Sequence, residues 1–303
     1  NIAAMQATAK AIHQSESLVE VEGRVATVSE IFRLQGADEL LEAEKRYARS
    51  RHQDTSAIVL AASRGRDLDD LTRNRPKAMI PVAGTSVLRR LVSRLKGLNI
   101  NDIAVVGGYC AEAIDVHGVR VIVNDDWEDS DELSSLACAL DSFNEDTVVV
   151  YGDLLFRCYI LNDLMEREAE LLAVVDSAPL DQVQGNTNDL AYCSAPDNRA
   201  LYQPSVSIDC ITGDPAWSGR SPDGRWVGMM RIRGEGRAHF LAALDTLRQR
   251  PDFHRLGMPD LINQRVGDGH APQVQYISGH WMDINDLDDV TRAGDFAHGQ
   301  GDG

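Results

Sequence analysis

Short apolar runs and longer amphipathic stretches alternate along the chain from Ser56 onward. The first run, 57–62, is bounded by polar and turn-forming residues, a pattern typical of a buried strand. In the stretch 86–96 the apolar residues recur at helical spacing, so they share one face of an amphipathic helix. Further strands are predicted at 102–109, 119–123, 147–151 and 171–175. Strands that alternate with helices predict an α/β fold with a mostly parallel sheet.

The pattern is weaker in the second half of the chain. Residues 178–236 are rich in glycine, proline and aspartate and predict only short strands, near 190–192, 206–208 and 226–230. Helical spacing returns afterwards. It predicts helices at 237–250, 259–266 and 287–296, with a strand at 274–277 before the last of them.

Residues 1–52 differ in pattern from the rest of the chain. Helical patterns at 2–12, 28–34 and 37–49 predict an N-terminal helical appendage, and a joint is expected near 50–55. We therefore divide the chain into an appendage with its linker (1–52), an α/β domain (53–297) and a disordered tail (298–303).

Charge and cysteine content limit the function. The 303 residues carry a formal net charge of −17, which argues against general nucleic-acid binding because phosphate contacts need clustered basic surface. No apolar run is long enough for a membrane span. Five scattered cysteines without metal-site spacing are typical of reduced thiols, so we expect a cytoplasmic protein. The sequence does not determine the oligomeric state, and a homo-oligomer is compatible with it.

A basic stretch comes after the first strand and stands out against this acidic background. Small residues let backbone N–H groups approach an anion closely, and arginine and lysine donate to phosphate oxygens. Loops at the carboxyl ends of parallel strands are also where α/β sheets bind ligands. The alternative is a solvated surface loop. The residues of this stretch that are predicted to bind phosphate are Leu60, Ala61, Ala62, Ser63, Arg64, Gly65, Arg66 and Lys77, and the resemblance described next implies that the phosphate belongs to a nucleotide.

Residues 57–83 resemble the opening of the sugar-phosphate nucleotidyltransferase superfamily, with its Ala-Ala-Gly-x-Gly-Thr-Arg loop and Pro-Lys segment. Ser63 stands where the family has its first glycine, and Arg66-Asp67 replaces Thr-Arg, so Arg64 or Arg66 would make the usual arginine contact. The Ala-Ala-Ser-Arg-Gly loop is most similar to the branch that activates phosphonates and phosphocholine with CTP. The resemblance implies a Rossmann-like mixed sheet, CTP as co-substrate, Mg²⁺ as cofactor, and Lys77 and Arg64 as catalytic residues.

The same resemblance implies the metal ligands. Asp153 ends a predicted buried strand after Gly152, and Asp283 lies in the late Asp-Ile-Asn-Asp segment; both are also predicted to be catalytic. A turn-forming role is the alternative for Asp153. Asp286 is expected to be the N-cap of the last helix. In the segment 124–136, which resembles the part that closes over the base, Ser134 or Ser135 caps a helix, or Ser135 contacts the base.

Residues 21–35 resemble the carboxyl-terminal end of phosphoenolpyruvate mutase. This implies a fusion of a mutase with a cytidylyltransferase, as in enzymes of fosfomycin-type phosphonate antibiotic biosynthesis, and hence 2-hydroxyethylphosphonate as the acceptor. The alternatives are 2-aminoethylphosphonate, phosphocholine or a sugar 1-phosphate as acceptor, an unrelated appendage, and a degenerate regulatory module that binds nucleotide without catalysis. The residues considered for an anionic acceptor are Arg157, Arg220, Arg231 and Arg233.

Overall fold

A computed structural model describes residues 18–21, 24–27, 52–178, 189–199 and 205–298, with the backbone alone at 18–21, 24–27, 66, 69 and 298. The chain divides into two compact units, Asn1–Gln53 and Asp54–Gly303. The predicted tail at 298–303 lies almost wholly outside the described residues.

The first unit contains a two-stranded antiparallel hairpin. Strand β1 (Leu18–Val21) pairs with β2 (Arg24–Thr27), with Leu18 opposite Thr27. The sequence predicted only helices in this appendage, so the hairpin is a correction; β-branched valines in both strands favour the extended conformation. The helices predicted at 2–12, 28–34 and 37–49 lie outside the described residues.

The second unit is an α/β domain. Its strands are β3 (Thr55–Ala61), β4 (Pro81–Val82), β5 (Thr85–Ser86), β6 (Asp102–Gly107), β7 (Arg120–Val123), β8 (Asp146–Tyr151), β9 (Leu154–Phe156), β10 (Leu171–Asp176), β11 (Leu190–Cys193), β12 (Ile208–Thr212), β13 (Gly224–Arg233), β14 (Gln273–Ile277) and β15 (Trp281–Asp283). Its helices are α1 (Val87–Gly97), α2 (Glu132–Cys138), α3 (Cys158–Glu166), α4 (Glu235–Arg248), α5 (Met258–Gly267) and α6 (Leu287–His298).

The central sheet has the order β12-β11-β13-β8-β3-β6-β7, and β10 joins it by pairing with both β13 and β14. Strands β8, β3, β6 and β7 are parallel to one another, whereas β13 is antiparallel to β8, β10 and β11. This is the predicted Rossmann-like mixed sheet. The strand expected near 206–208 begins only at Ile208 and runs on to Thr212.

Strand register brings three carboxyl ends together. Leu60 pairs with Tyr151 on β8, and Ala61 pairs with Gly107 on β6. The loops that leave β3, β6 and β8 therefore start side by side, at the edge where ligands bind in parallel α/β sheets.

The sheet is buried on both faces. Along β3, Ile58 and Leu60 pack into a core cluster that includes residues of α2, α4 and α5, while Ala57 and Val59 pack into a second cluster with α1 and α3. Alternate residues thus point to opposite covered faces, which is why β3 is a continuous apolar run in the sequence. A third cluster joins β4, β9 and α6. Among the described residues, no helix is long and apolar enough to cross a bilayer.

A glycine lies at a bulge in β13, where the register of its pairing with β10 shifts. Trp226 pairs with Val175 and Met230 with Ala173, so β13 has extra residues between these two pairs. Gly228 lies in this bulge with φ +85°, and a Cβ there would meet the Tyr151 ring at 2.2 Å. The missing side chain therefore gives Tyr151 its place against β13.

We predict that Gly228→Ala lowers the free energy of unfolding by about 2 kcal/mol or more, because positive φ and a clash act together. Gly84 is a matched control, since its φ is +81° and nothing lies within 4 Å of its missing Cβ. Gly84→Ala should cost only about 1 kcal/mol, the conformational part alone. Urea unfolding of both variants measures the difference, and equal losses would contradict the role given to Tyr151.

Candidate active site

A cavity of ≈ 430 Å³ opens at the edge where β3, β6 and β8 end. Its lining includes the predicted nucleotide-binding residues Leu60, Ala61, Ala62, Ser63, Arg64, Gly65, Lys77 and Ser135, and the predicted metal ligands Asp153 and Asp283. The side chain of Arg66 lies outside the described part of the structure. The structure therefore brings the described candidates together, while their roles remain predictions.

The loop after β3 folds back onto Lys77. The Ser63 carbonyl accepts a hydrogen bond from the Lys77 backbone N–H (3.3 Å), and the Ser63 hydroxyl accepts one from the Gly65 N–H (3.2 Å). Gly65 has φ +72°, and a Cβ there would lie 2.6 Å from Leu68 Cδ1 and 3.2 Å from Lys77 Cδ. Only glycine fits this turn without strain.

Aromatic contacts hold Arg64 at the cavity. Its guanidinium lies over the Tyr109 ring, 5.0 Å from the centroid, and Tyr109 meets Trp127 edge to face at 5.3 Å. Tyr109 itself is fixed by donating its hydroxyl proton to the Arg73 carbonyl (2.8 Å). Trp127 also lines the cavity, so Arg64 and an indole ring are both exposed to a ligand there.

Lys77 connects the loop at 61–65, named the phosphate loop here for its predicted role, to the two predicted metal ligands. Its ammonium is 2.5 Å from Asp153 Oδ2 and donates to Asn285 Oδ1 at 2.7 Å. Asn285 in turn donates its amide N–H to Asp283 Oδ2 at 2.7 Å. The Lys77 and Asp153 side chains are only 12% and 19% exposed, so this ion pair is poorly screened by solvent.

Arg225 extends the same network on the other side of Asp283. Its Nη2 is 3.3 Å from Asp283 Oδ1, and its guanidinium stacks on Trp281 with the carbon 4.4 Å from the ring centroid. Trp281 is held by donating its indole N–H to Asp176 Oδ2 (2.8 Å). The fixed indole positions Arg225, and Arg225 helps to position Asp283.

None of the four arginines considered for an anionic acceptor lines the cavity. Arg231 is buried, pairs with Asp146 at 2.6 Å and donates to backbone carbonyls in the last turn of α3 and just after it. Arg220 pairs with Asp209 at 2.8 Å, and Arg157 lies over the Phe296 ring. Arg225 lines the cavity instead. The sequence did not distinguish it from the other arginines between 199 and 233.

Serine does not cap α2. The N-cap position is Asp131, and Ser135 lies inside the helix, so the capping alternative was wrong. The buried Ser135 hydroxyl accepts a hydrogen bond from Asn124 Nδ2 at 3.1 Å. Asp286 does cap α6, because its carboxylate accepts from the Asp289 N–H at 2.8 Å.

Two further carboxyl groups line the cavity, those of Glu132 and Asp189, and the sequence did not single out either as a site residue. Burial raises the pKa of Glu132 to about 7, with Asp189 and other nearby carboxylates adding to the shift. Burial likewise raises the pKa of Asp189 to about 6, although Arg225 acts in the opposite direction. Glu132 Oε2 accepts a hydrogen bond from the Met258 N–H at 3.1 Å. Glu132 lies in the segment 124–136, but its place in the cavity, like that of Asp189, depends on how distant segments pack together.

The oxygen donors at the cavity fit a magnesium ion better than a metal that needs a complete protein cage. The described residues contain no group of three or more His, Cys, Asp or Glu side chains placed to hold a metal. Asp153 and Asp283 supply two carboxylates within one network. Mg²⁺ is commonly held by one or two carboxylates together with water and substrate phosphates.

Known nucleotidyltransferases are similar to this chain in sequence and in fold. A family model described as the MobA-like NTP transferase domain matches residues 57–201. Among solved structures, CTP:phosphocholine cytidylyltransferase from Streptococcus pneumoniae has a TM-score of 0.64 at 20% identity, covering 80% of this chain and 99% of that one. An inositol-1-phosphate CTP transferase from T. maritima has a TM-score of 0.60 at 15% identity, covering 82% and 97%. The fold is that of the nucleotidyltransferases.

Curated relatives point to the same enzyme class. CMP-5'-(3-aminopropyl)phosphonate synthase of Streptomyces rubellomurinus is 30% identical over 137 residues, 43% of this chain and 22% of that protein. Choline-phosphate cytidylyltransferase of Streptococcus pneumoniae is 33% identical over 112 residues, 36% of this chain and 49% of that protein. Residues 57–201 are thus similar to a nucleotidyltransferase domain, and cytidylyltransferases are among the relatives. The chain spans from about a fifth to about half of the length of these two relatives.

The raised pKa of the half-buried Glu132 carboxyl group leads to a prediction about stability. Its pKa in the folded chain is about 7, against an ordinary value of 4.5, so the folded state binds more protons between these values. Stability should therefore fall as the pH rises through this window. Glu132→Gln should stabilise the chain by up to about 3 kcal/mol at pH 8 and change little at pH 4.5.

Denaturant unfolding from pH 4.5 to 8 measures this difference. The exposed Glu166→Gln variant is the control and should track the unsubstituted chain. A Glu132→Gln effect that does not change with pH would contradict the assignment.

Proposed function

We propose that this chain transfers CMP from CTP to a small phosphonate and releases pyrophosphate. An acceptor oxygen attacks the α-phosphorus of CTP, a new P–O bond forms, and the bond to the β-phosphate oxygen breaks. The observation that carries the proposal is the position of Lys77, which joins the loop after β3 to both Asp153 and Asn285 at the cavity.

Each group of residues at the cavity would have a distinct role in such a reaction. Phosphoryl transfer is catalysed largely by positioning and by neutralising charge, so no protein nucleophile is needed. The small residues of the loop and the Arg64 guanidinium would hold the triphosphate. The Lys77 ammonium would move from its protein partners to phosphoryl oxygens, where it offsets charge that develops in the transition state.

Asp153 and Asp283 would hold Mg²⁺, with Asn285 orienting Asp283 through its amide N–H. When bound, the ion supplies Lewis-acid neutralisation of phosphate charge. Asn285 also keeps Lys77 beside these carboxylates in the nucleotide-free chain, so that all three charged groups are ordered before substrate arrives.

The identity of the acceptor depends on two lines of support. The resemblance to mutase fusions favours 2-hydroxyethylphosphonate. The acidic groups at the cavity favour an acceptor that carries an amine, such as 2-aminoethylphosphonate, because carboxyl groups pair with ammonium rather than with hydroxyl. Phosphocholine and sugar 1-phosphates remain alternatives for the same site. A module without catalysis would have no need of a network that keeps Lys77, Asp153 and Asp283 together.

We also propose that residues 1–52 are the end of a mutase domain in a longer fusion protein that works in the cytoplasm. Support comes from a 46-residue match, at 56% identity, to phosphoenolpyruvate phosphomutase of Tetrahymena pyriformis, which covers 15% of this chain and 15% of that protein. A mutase on the same polypeptide would supply the carbon–phosphorus bond of the acceptor.

Lys77→Ala should lower CTP-dependent pyrophosphate release by roughly 10²–10³-fold, because it removes a positioned cation at the developing charge. Pyrophosphate release with a phosphonate acceptor measures the effect. Lys96→Ala is the control, since Lys96 donates to the His117 carbonyl outside the cavity. Near-normal turnover of Lys77→Ala would contradict the proposal.

Asp153→Asn and Asp283→Asn should each nearly abolish turnover, with little further loss in the double variant, because both carboxylates serve one ion. Mn²⁺ binding in the presence of CTP, measured by electron paramagnetic resonance, should weaken in each variant. Modest additive losses with unchanged Mn²⁺ binding would show that the two residues are structural.

A further inference from the structure

One part of the cavity wall has charges that the nucleotide chemistry does not use. It consists of Arg225 and Trp226 on β13, Asp189 before β11, Glu132 on α2 and Tyr151 on β8. Leu190 is the register partner of Arg225, so Asp189 lies next to Arg225 across two paired strands. A cation and two acids are thus placed within one recess.

Arg225 offers an unused donor in this recess. The residue is 5% exposed, its Nη2 pairs with Asp283, and its buried Nη1 has no hydrogen-bond partner among the described residues. Asp176 is its register partner on β10, but the Asp176 oxygens accept from Trp281 Nε1 and from the Ala178 and Gly279 N–H groups. A buried charged donor without a partner costs free energy, so Nη1 points to an anionic ligand group.

In the described part of the chain the two acids have no ion-pair partner, although the nearby Arg225 acts to lower the pKa of Asp189. Within the described ranges, neither Glu132 nor Asp189 has a basic side chain at ion-pair distance. Both carboxyl groups bind protons more tightly than usual because they are buried and lie near other acids. A positively charged ligand group would relieve that repulsion and favour both charged forms. The Tyr151 and Trp226 rings, which meet edge to face at 6.5 Å, supply an apolar wall beside them.

We propose that these residues form a two-ended subsite for a zwitterionic acceptor, in which Arg225 Nη1 binds the phosphonate and Asp189 with Glu132 bind an ammonium at the other end. This inference rests on the proposed cytidylyl transfer and narrows its acceptor to short aminoalkyl phosphonates. Because Arg225 lies beside Asp283, a phosphonate bound to Arg225 would lie near the Mg²⁺ ion that Asp283 is proposed to hold.

The analogue that tests this subsite most directly is 2-hydroxyethylphosphonate, which has a hydroxyl group in place of the amine. It would leave two half-buried carboxyl groups without a cation, whereas an ammonium makes charge-assisted hydrogen bonds to both. Sites with unsatisfied buried polar groups reject such analogues strongly. The chain should therefore bind and use 2-aminoethylphosphonate at least tenfold better than 2-hydroxyethylphosphonate.

The test compares these two compounds in two assays. Calorimetry with Mg²⁺ and a non-reactive α,β-methylene analogue of CTP measures acceptor affinity, and pyrophosphate release with CTP measures kcat/KM. Asp189→Asn and Glu132→Gln should each reduce the amine preference to threefold or less by weakening the amine alone. Arg225→Lys should weaken both acceptors and keep the preference. Asp129→Asn, an exposed acid outside the cavity lining, is the charge-matched control and should change neither compound.

Equal or tighter binding of the hydroxy compound by the unsubstituted chain would overturn the subsite. So would an equal loss of both compounds in folded Asp189→Asn and Glu132→Gln chains, as judged by circular dichroism. If those variants do not fold, the preference of the unsubstituted chain decides alone. Selective amine binding without pyrophosphate release would support the subsite and contradict the cytidylyl transfer, so the two claims fail separately.

Discussion

The ion pair between Lys77 and Asp153 is the interaction on which the site depends. It joins the segment after the phosphate loop to the end of β8, and through Asn285 it reaches a segment 208 residues further along the chain. A lysine at this depth needs a counter-charge, and the carboxylate beside it supplies one. If the proposed function holds, the same network places the Lys77 ammonium for phosphate binding and the Asp153 and Asp283 carboxylates for a cation.

Strand register explains why these groups meet. Leu60 lies opposite Tyr151, and the two strands end at one level, which puts Ala61 to Gly65 beside Asp153. Strand β15 pairs with β9, with Asp283 opposite Leu154, so the late carboxylate is placed directly beside the residue after Asp153. The short β9–β15 pair therefore determines the distance between the two predicted metal ligands more than the central sheet does.

The sequence predicted the elements and residues with strong local signals. Strand β3, the phosphate loop, Lys77 and the N-cap Asp286 all belong to patterns that a few neighbouring residues specify. Arg225, Asp189 and Glu132 could not be found in this way, because their importance comes from burial and from strand pairing between distant segments. The capping alternative for Ser135 was wrong for the opposite reason: serine before a helix has a strong local signal, but α2 begins after Asp131, which leaves Ser135 inside the helix. Its predicted contact with the base stays a prediction.

The most direct test is a crystal structure of the chain with Mg²⁺ and a non-reactive CTP analogue. We expect a triphosphate against the 61–65 loop, Lys77 Nζ within hydrogen-bond distance of a phosphate oxygen, and metal density at Asp153 and Asp283. A nucleotide bound away from this loop, with Lys77 still paired only to Asp153 and Asn285, would contradict the role of Lys77 in nucleotide binding and transfer.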